Sequence, residues 1–476
     1  MFRGFESHGL RQWSSVHHFG VESITRKKSN LRRFINWLIT MPTAVVLLPI
    51  QGLSILAWWA AGSYFKLDVY SSRIFPGEDG WCNPPVEGLG VHCWGDYYYP
   101  MYLLSQENPF SGELVNSYPA AALFPFVIFR ALTQFSGIPY MGLLTYLTLM
   151  TLAIAYSVWF ATKGQSLETR VLLFSTLVFF SPGVLAVIDR GNSTGFLVGI
   201  LVWLFASLRN SKHNQSVLAL ALMSVVKPHF GLLTVAFILG GKVKLGVQGM
   251  LLGVLLNVFA FLALWPSSFP GNLWSWFTGF LGYQDYGSVA APWPQNISFS
   301  QAIYSLFYGL DIIAMGALQP TLTIIENYQS LWGSFILVLV FTMIAFQRKN
   351  ITPGQMIVLA TSAISMTSAI SFYYYIALAI PFILILTSES RENQKAAQTS
   401  GTSTLGVNFH LWAASALTLV QIPIPGLVYG DKILGSGVLV GGVWIVSYVL
   451  VFVTLHRRNS PRRPALPEKR PAPEFG

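Results

Sequence analysis

The sequence predicts an all-α polytopic membrane protein with about twelve transmembrane helices, and three observations carry that reading. Of its 476 residues 53% are hydrophobic and only 10% charged, where a soluble chain has about a quarter charged residues. Apolar runs recur along the chain at lengths that suit lipid-spanning helices. Most of the formal charge of +10 sits at the two ends. These features exclude a soluble enzyme, a nucleic-acid module and a secreted disulfide scaffold.

The elements follow in order. Residues 1–33 form a basic segment, with Arg3, Arg11, Arg26, Lys27, Lys28, Arg32 and Arg33 set against Glu6 and Glu22. Residues 456–476 form a Pro/Arg-rich tail, with Arg457, Arg458, Arg462, Arg463, Lys469 and Arg470 against Glu468 and Glu474. Basic flanks beside apolar spans place both on the cytoplasmic side of a cell membrane. Their expected partners are anionic lipid headgroups rather than nucleic acid. The first long apolar run begins near Phe34 and is too long for the core of a cleavable signal.

Between the tails, residues 34–455 read as one integral membrane domain. Its candidate spans lie near 34–60, 118–135, 139–162, 169–188, 193–208, 215–240, 246–266, 329–347, 353–370, 372–388, 407–426 and 434–455. On this count Lys242/Lys244, Arg348/Lys349 and the loop 388–404 are cytoplasmic. Two runs are irregular: 118–135 is short, and 215–240 carries Lys227-Pro228-His229 at its middle. Counting every run as a crossing makes Arg190 cytoplasmic and the Arg209–His213 turn external. A re-entrant half-helix reverses both, and the sequence leaves the two topologies open. Two long segments, about 61–117 and 267–328, fall outside on either count and are rich in Trp, Tyr, Pro and Gly.

The two cysteines, Cys82 and Cys93, share the first outer segment, where a disulfide can persist, and a Cys82–Cys93 disulfide is expected. With His92 they lack a clear fourth metal ligand, so no metal site is expected. Nineteen Asp and Glu residues make the carboxylate candidates few. Asp96 stands in Trp94-Gly95-Asp96-Tyr97-Tyr98-Tyr99. Aromatic walls and partial desolvation would make it a better base, and a helix-capping loop aspartate is the other reading. Arg190-Gly191-Asn192-Ser193-Thr194-Gly195 offers a cation and donors at a helix start, suited to an anion or to a simple Asp189–Arg190 turn. Lys227 in an apolar run needs water, a counter-ion or a cavity, and Pro228 frees a carbonyl that only buried or cavity-lining backbone tolerates. Asn296-Ile297-Ser298 and the turn Ser371-Phe372-Tyr373-Tyr374-Tyr375 complete the set; their aromatics suit sugar rings, polyprenyl chains or an interfacial belt.

Taken in order, these pieces resemble the membrane glycosyltransferases of the GT-C type that use polyprenyl-phosphate sugars, in particular the actinobacterial mannosyltransferases and arabinofuranosyltransferases of the cell envelope. The residues that carry the resemblance are Gly95-Asp96-Tyr97, Asn108-Pro109-Phe110, Tyr118-Pro119, Arg190-Gly191-Asn192, Lys227-Pro228, Asn296-Ile297-Ser298 and the Tyr-rich turn. The resemblance implies inverting transfer of a sugar, mannose by preference, to an envelope glycolipid or polysaccharide on the outer face. It makes Asp96 the general base. Asp68 is the rival, because the family's aspartate often follows the first helix closely. Lys227, His229, Arg190 and Asn192 would bind the donor phosphate, and Tyr97, Tyr118, Asn296, Ser298, Tyr373 and Tyr374 would line the substrate. No cofactor or metal is expected. Arabinofuranose transfer and a lipid-linked-sugar flippase are the alternatives. Ala120 stands where the family commonly has a second proline.

Overall fold

Glycine, proline and serine set the ends of the helices in the computed structural model of the chain. It describes residues 94–110, 118–163, 165–289, 298–313, 316–367 and 373–400, with isolated positions or short pieces in 49–56, at 413, and in 427–434 and 446–454. The described elements are helical except for a short antiparallel pair, Leu427–Tyr429 with Lys432–Leu434. They run α1 (Gly95–Leu103), α2 (Ala120–Ser136), α3 (Met141–Ala161), α4 (Leu167–Phe174), α5 (Pro182–Arg190), α6 (Thr194–Arg209), α7 (His213–Val226), α8 (Leu232–Leu239) and α9 (Val243–Leu264). There follow α10 (Phe269–Val289), α11 (Phe299–Ile313), α12 (Gln319–Asn327), α13 (Gln329–Phe346), α14 (Pro353–Thr367) and α15 (Ala379–Ser400). Ser166 caps α4 by accepting from the Thr169 amide, and Pro182 opens α5 where a missing N–H costs nothing. Gly191, at φ +62°, closes α5 in the left-handed region.

The expectation of twelve spans is not met in the described residues. Two helices, Met141–Ala161 and Val243–Leu264, are long and apolar enough to cross a membrane. A third crossing forms if Leu167–Phe179 and Gly183–Arg190, bent by 47°, count as one. The other apolar helices are shorter because polar residues, Gly and Pro cut the runs. The expected spans 34–60 and 407–426 lie almost wholly outside the described residues. The segment 267–328, read as a polar outer stretch, carries three helices (α10 to α12), and α15 continues to Ser400 through the expected loop 388–404.

Contacts sort the turns into two ends. At one end Asp96, Arg190 and Asn192 meet. At the other, Arg209 is joined to Ser388 and Glu392, Thr352 to Glu389, and His213 to Gln248. The turn count that placed Arg190 on the side of residues 388–404 and Arg209 opposite them is therefore reversed, for two reasons. First, α2 returns to the end it came from: Tyr118, just before it, lies over Lys227, and Thr133 near its close accepts from Gly142 N at the start of α3. Second, the run 215–240 turns back at Lys227-Pro228 instead of crossing. Proline disfavours the helical region for the residue before it, and Lys227 is extended at φ −145°, ψ 118°.

The core is built from α3, α5, α6, α8, α14 and α15. Tyr97, Phe126, Phe129 and Tyr146 form its aromatic corner beneath α1, with Tyr97 and Tyr146 ring centres 5.2 Å apart. That corner fixes the position of the first turn of α1, and with it Asp96.

Candidate functional site

Asp96 lies in the first turn of α1, where the Trp94 carbonyl accepts from the Tyr97 and Tyr98 amides. Facing it is the turn between α5 and α6. A side chain at Gly191 would put a Cβ 3.0 Å from the Cβ of Tyr97, so glycine serves there both for its backbone angle and for close approach to α1. This docking brings Arg190 and Asn192 to Asp96 from nearly a hundred residues away in sequence.

The Asn192 side-chain amide donates to Asp96 Oδ2 at 2.8 Å. Its own Oδ1 accepts from the Thr194 amide at 2.9 Å, a local turn bond that orients the amide group at the start of α6. Arg190 Nε stands 3.5 Å from the same Asp96 oxygen, with side-chain exposures of 10% for Arg190 and 16% for Asp96. Both contacts fall on Oδ2; among the described residues Asp96 Oδ1 accepts no hydrogen bond. Arg190, expected on the donor phosphate, is thus first a partner of the carboxylate.

Lys227 is buried at the α7 break, its Nζ 4.7 Å from the centre of the Tyr118 ring and 5.5 Å from that of Tyr374. Both lie within the range over which a ring face attracts a cation. Its ammonium also feels the charge of Asp96. Two residues on, His229 Nε2 hydrogen-bonds the Tyr375 hydroxyl at 3.0 Å. Tyr146, fully buried, packs its ring against Tyr97, the residue next to Asp96.

Asp96, Arg190, Asn192, Lys227, His229, Tyr118 and Tyr374, singled out from sequence, therefore share one end of the helical bundle. Tyr97 departs from its expected lining role. Only 3% exposed, it packs among Phe126, Phe129 and Tyr146, and burial pushes its phenol well above the ordinary range. Ser298 is fully buried at the start of α11, its carbonyl accepting from Ala302 N. Asp311, in the segment 267–328 expected outside, accepts from the Leu318 amide at 2.6 Å and from Gln319 Nε2 at 2.7 Å, which joins α11 to α12. Asp68, Asn296, Cys82 and Cys93 lie outside the described residues, as does the side chain of Tyr373. Sequence reasoning missed Tyr146, which reads as one more aromatic of an apolar helix, and it missed the pairing of Tyr375 with His229.

Chemically, the cluster offers a carboxylate with one oxygen pinned and the other open to a proton. A buried ammonium at the same end of the bundle is suited to an anion. Among the described residues no group of three or more His, Cys, Asp or Glu could hold a metal ion. Comparison with protein-family models, with curated proteins and with solved structures finds no match to this chain.

Proposed function

We propose that the chain is a multi-span membrane glycosyltransferase of the GT-C kind that moves a sugar from a polyprenyl-phosphate donor to an envelope glycolipid or polysaccharide. The observation that carries this reading is the meeting of Arg190 and Asn192 with Asp96 from a turn far away in sequence, at the end of the bundle where Lys227 is buried against Tyr118 and Tyr374. It is the arrangement an inverting transfer needs: a base for the acceptor hydroxyl beside a cation for the leaving phosphate.

In the proposed step the acceptor oxygen attacks the anomeric carbon and its proton passes to Asp96 Oδ1. The bond from the anomeric carbon to the phosphate oxygen breaks, and the phosphate leaves with the electron pair as polyprenyl phosphate. Lys227 meets the developing negative charge from a buried, preorganised position. Arg190 and Asn192 hold the carboxylate in place. Tyr118 and Tyr374 keep water from the ammonium and present rings to the sugar or lipid. Mannose is the sugar we assign, on the resemblance to mannosyltransferases.

The distribution of charge supports an outward-facing site. The turns at the opposite end carry Lys163, Arg209, Lys212, Lys242, Lys244, Arg348 and Lys349, the composition of cytoplasmic loops. Helix length supports a site sunk below the outer surface. At about 1.5 Å per residue, the 16 residues of α6 and 14 of α7 span roughly 24 and 21 Å, less than the ~30 Å hydrocarbon core.

The test is transfer by purified protein in lipid from radiolabelled polyprenyl-phosphate mannose to an envelope glycolipid extract. Transfer of label to the extract supports the reading. Transfer from the arabinofuranose donor alone keeps the reaction and replaces the sugar. Passage of the labelled lipid across the bilayer with no transfer from either donor replaces the enzyme with a flippase.

A further inference from the structure

Two clefts open at the basic end, far from Asp96, on either side of a shared wall. One, of about 250 Å³, lies between α3 and α6 and reaches Lys212. The other, of about 270 Å³, lies between α6 and α15 and reaches Lys163 and Arg209. Phe160, Val202, Ala206 and Asn210 line both. The walls are apolar and aromatic, with Tyr156 and Trp203 in the first and Phe205 and Leu384 in the second. Together the clefts reach the ~300–1,000 Å³ of ligand pockets.

The rims are polar and cationic. Lys163, Arg209, Asn210 and Lys212 are all exposed there. Glu392 balances Arg209, so Lys163 and Lys212 set the sign of the rim. Two apolar slots under one cationic rim match a molecule with two hydrocarbon chains and one anionic head.

We propose that this end holds one anionic phospholipid, its phosphate over Asn210 between Lys163 and Lys212 and its two acyl chains lying one in each cleft, astride Phe160 and Ala206. Free phosphate has no use for the apolar walls, and a zwitterionic lipid carries an ammonium that the lysines repel. The site requires a membrane but not the sugar transfer, so it stands or falls apart from that reaction.

Native mass spectrometry of the full chain tests it, with the protein purified in detergent micelles and supplied with equal dioleoyl-phosphatidylglycerol and dioleoyl-phosphatidylcholine. One phosphatidylglycerol should be retained in preference by roughly thirtyfold, from two lysines each worth about fivefold. Lys163→Gln with Lys212→Gln should abolish the preference. Ala206→Phe, which fills the shared wall and leaves every charge in place, should lose the bound lipid. Equal retention of the two lipids by the wild type would overturn the proposal, as would undiminished phosphatidylglycerol on Ala206→Phe, the mark of diffuse attraction to basic turns. Fluorescence of the wild type gives a second reading that needs no folded Ala206→Phe. Acyl-brominated phosphatidylglycerol should quench a component that is missing from Trp203→Phe, and brominated phosphatidylcholine at the same concentration should not. Quenching that is the same in Trp203→Phe, or by both lipids, removes the site.

Discussion

Replacing Gly191 with alanine tests the contact that brings Arg190 and Asn192 to Asp96, and Gly137→Ala is its internal control. Both glycines are left-handed, at φ +62° and +67°. That conformation costs an L-residue about 1–2 kcal/mol. At Gly137 the added Cβ meets nothing within 4 Å, so the backbone cost stands alone. At Gly191 the Cβ arrives 3.0 Å from Tyr97 Cβ, 3.5 Å from Tyr97 N and 3.8 Å from Trp94 Cβ. Tyr97 cannot yield cheaply, because its ring is held 5.6 Å from Phe126 and 5.2 Å from Tyr146. Overpacking of this kind adds about 1–3 kcal/mol, so Gly191→Ala should lose about 2–5 kcal/mol in all. Equilibrium unfolding in mixed detergent micelles, read by helical ellipticity, measures both variants. Gly191→Ala should also reduce transfer, since relief of the clash moves Asn192 away from Asp96, whereas Gly137→Ala should not. Equal stability losses at the two positions would refute the close docking of α1 on the α5–α6 turn.

Other variants probe separate parts of the account. Lys227→Met should raise the donor KM roughly ten- to a hundredfold, the worth of one charge-assisted contact. It should leave the fold intact between Tyr118 and Tyr374, and an unchanged KM would remove Lys227 from the phosphate site. Asp311→Ala strands two donors of a buried carboxylate and should cost about 2–3 kcal/mol in the same unfolding assay with no effect on donor KM. Arg209 and Glu392 are about half exposed, at 51% and 48%. A double-mutant cycle of Arg209→Gln with Glu392→Gln should therefore return under ~1 kcal/mol, falling further with salt.

Much of the site was legible in the sequence because its residues are expensive where they stand. A lysine followed by proline in an apolar run needs a reason, and Lys227 has one in Tyr118, Tyr374 and the nearby carboxylate. Arg190-Gly191-Asn192 reads as a polar glycine turn at a helix start, and it is one. What the sequence withheld was direction. Tyr97 and Asp96 are neighbours on one short helix, yet Tyr97 enters the core and Asp96 turns to Asn192, and no spacing rule separates two adjacent residues of an aromatic-rich stretch. Asp311 looked like any outer-face acid until α12 supplied the amides that bind it. Hydropathy counted apolar runs, whereas crossing depends on where a run ends. Thus α2, which returns to its own end, and the run broken at Pro228 both stand among the candidate spans, though the sequence marks each as irregular. The two returns offset each other by Lys242, so the later turns share one end with the Arg209 turn.

Asp96 as the base is the central claim, and the conservative change Asp96→Asn tests it most directly. The variant keeps the size of the side chain and removes the carboxylate that takes the proton. Transfer from radiolabelled polyprenyl-phosphate mannose would be measured for wild type, Asp96→Asn and Asp68→Asn, alongside donor binding by each. The account predicts that Asp96→Asn alone loses turnover, by roughly a hundredfold or more, while it still binds donor. Full transfer by Asp96→Asn, or its loss in Asp68→Asn instead, would contradict it.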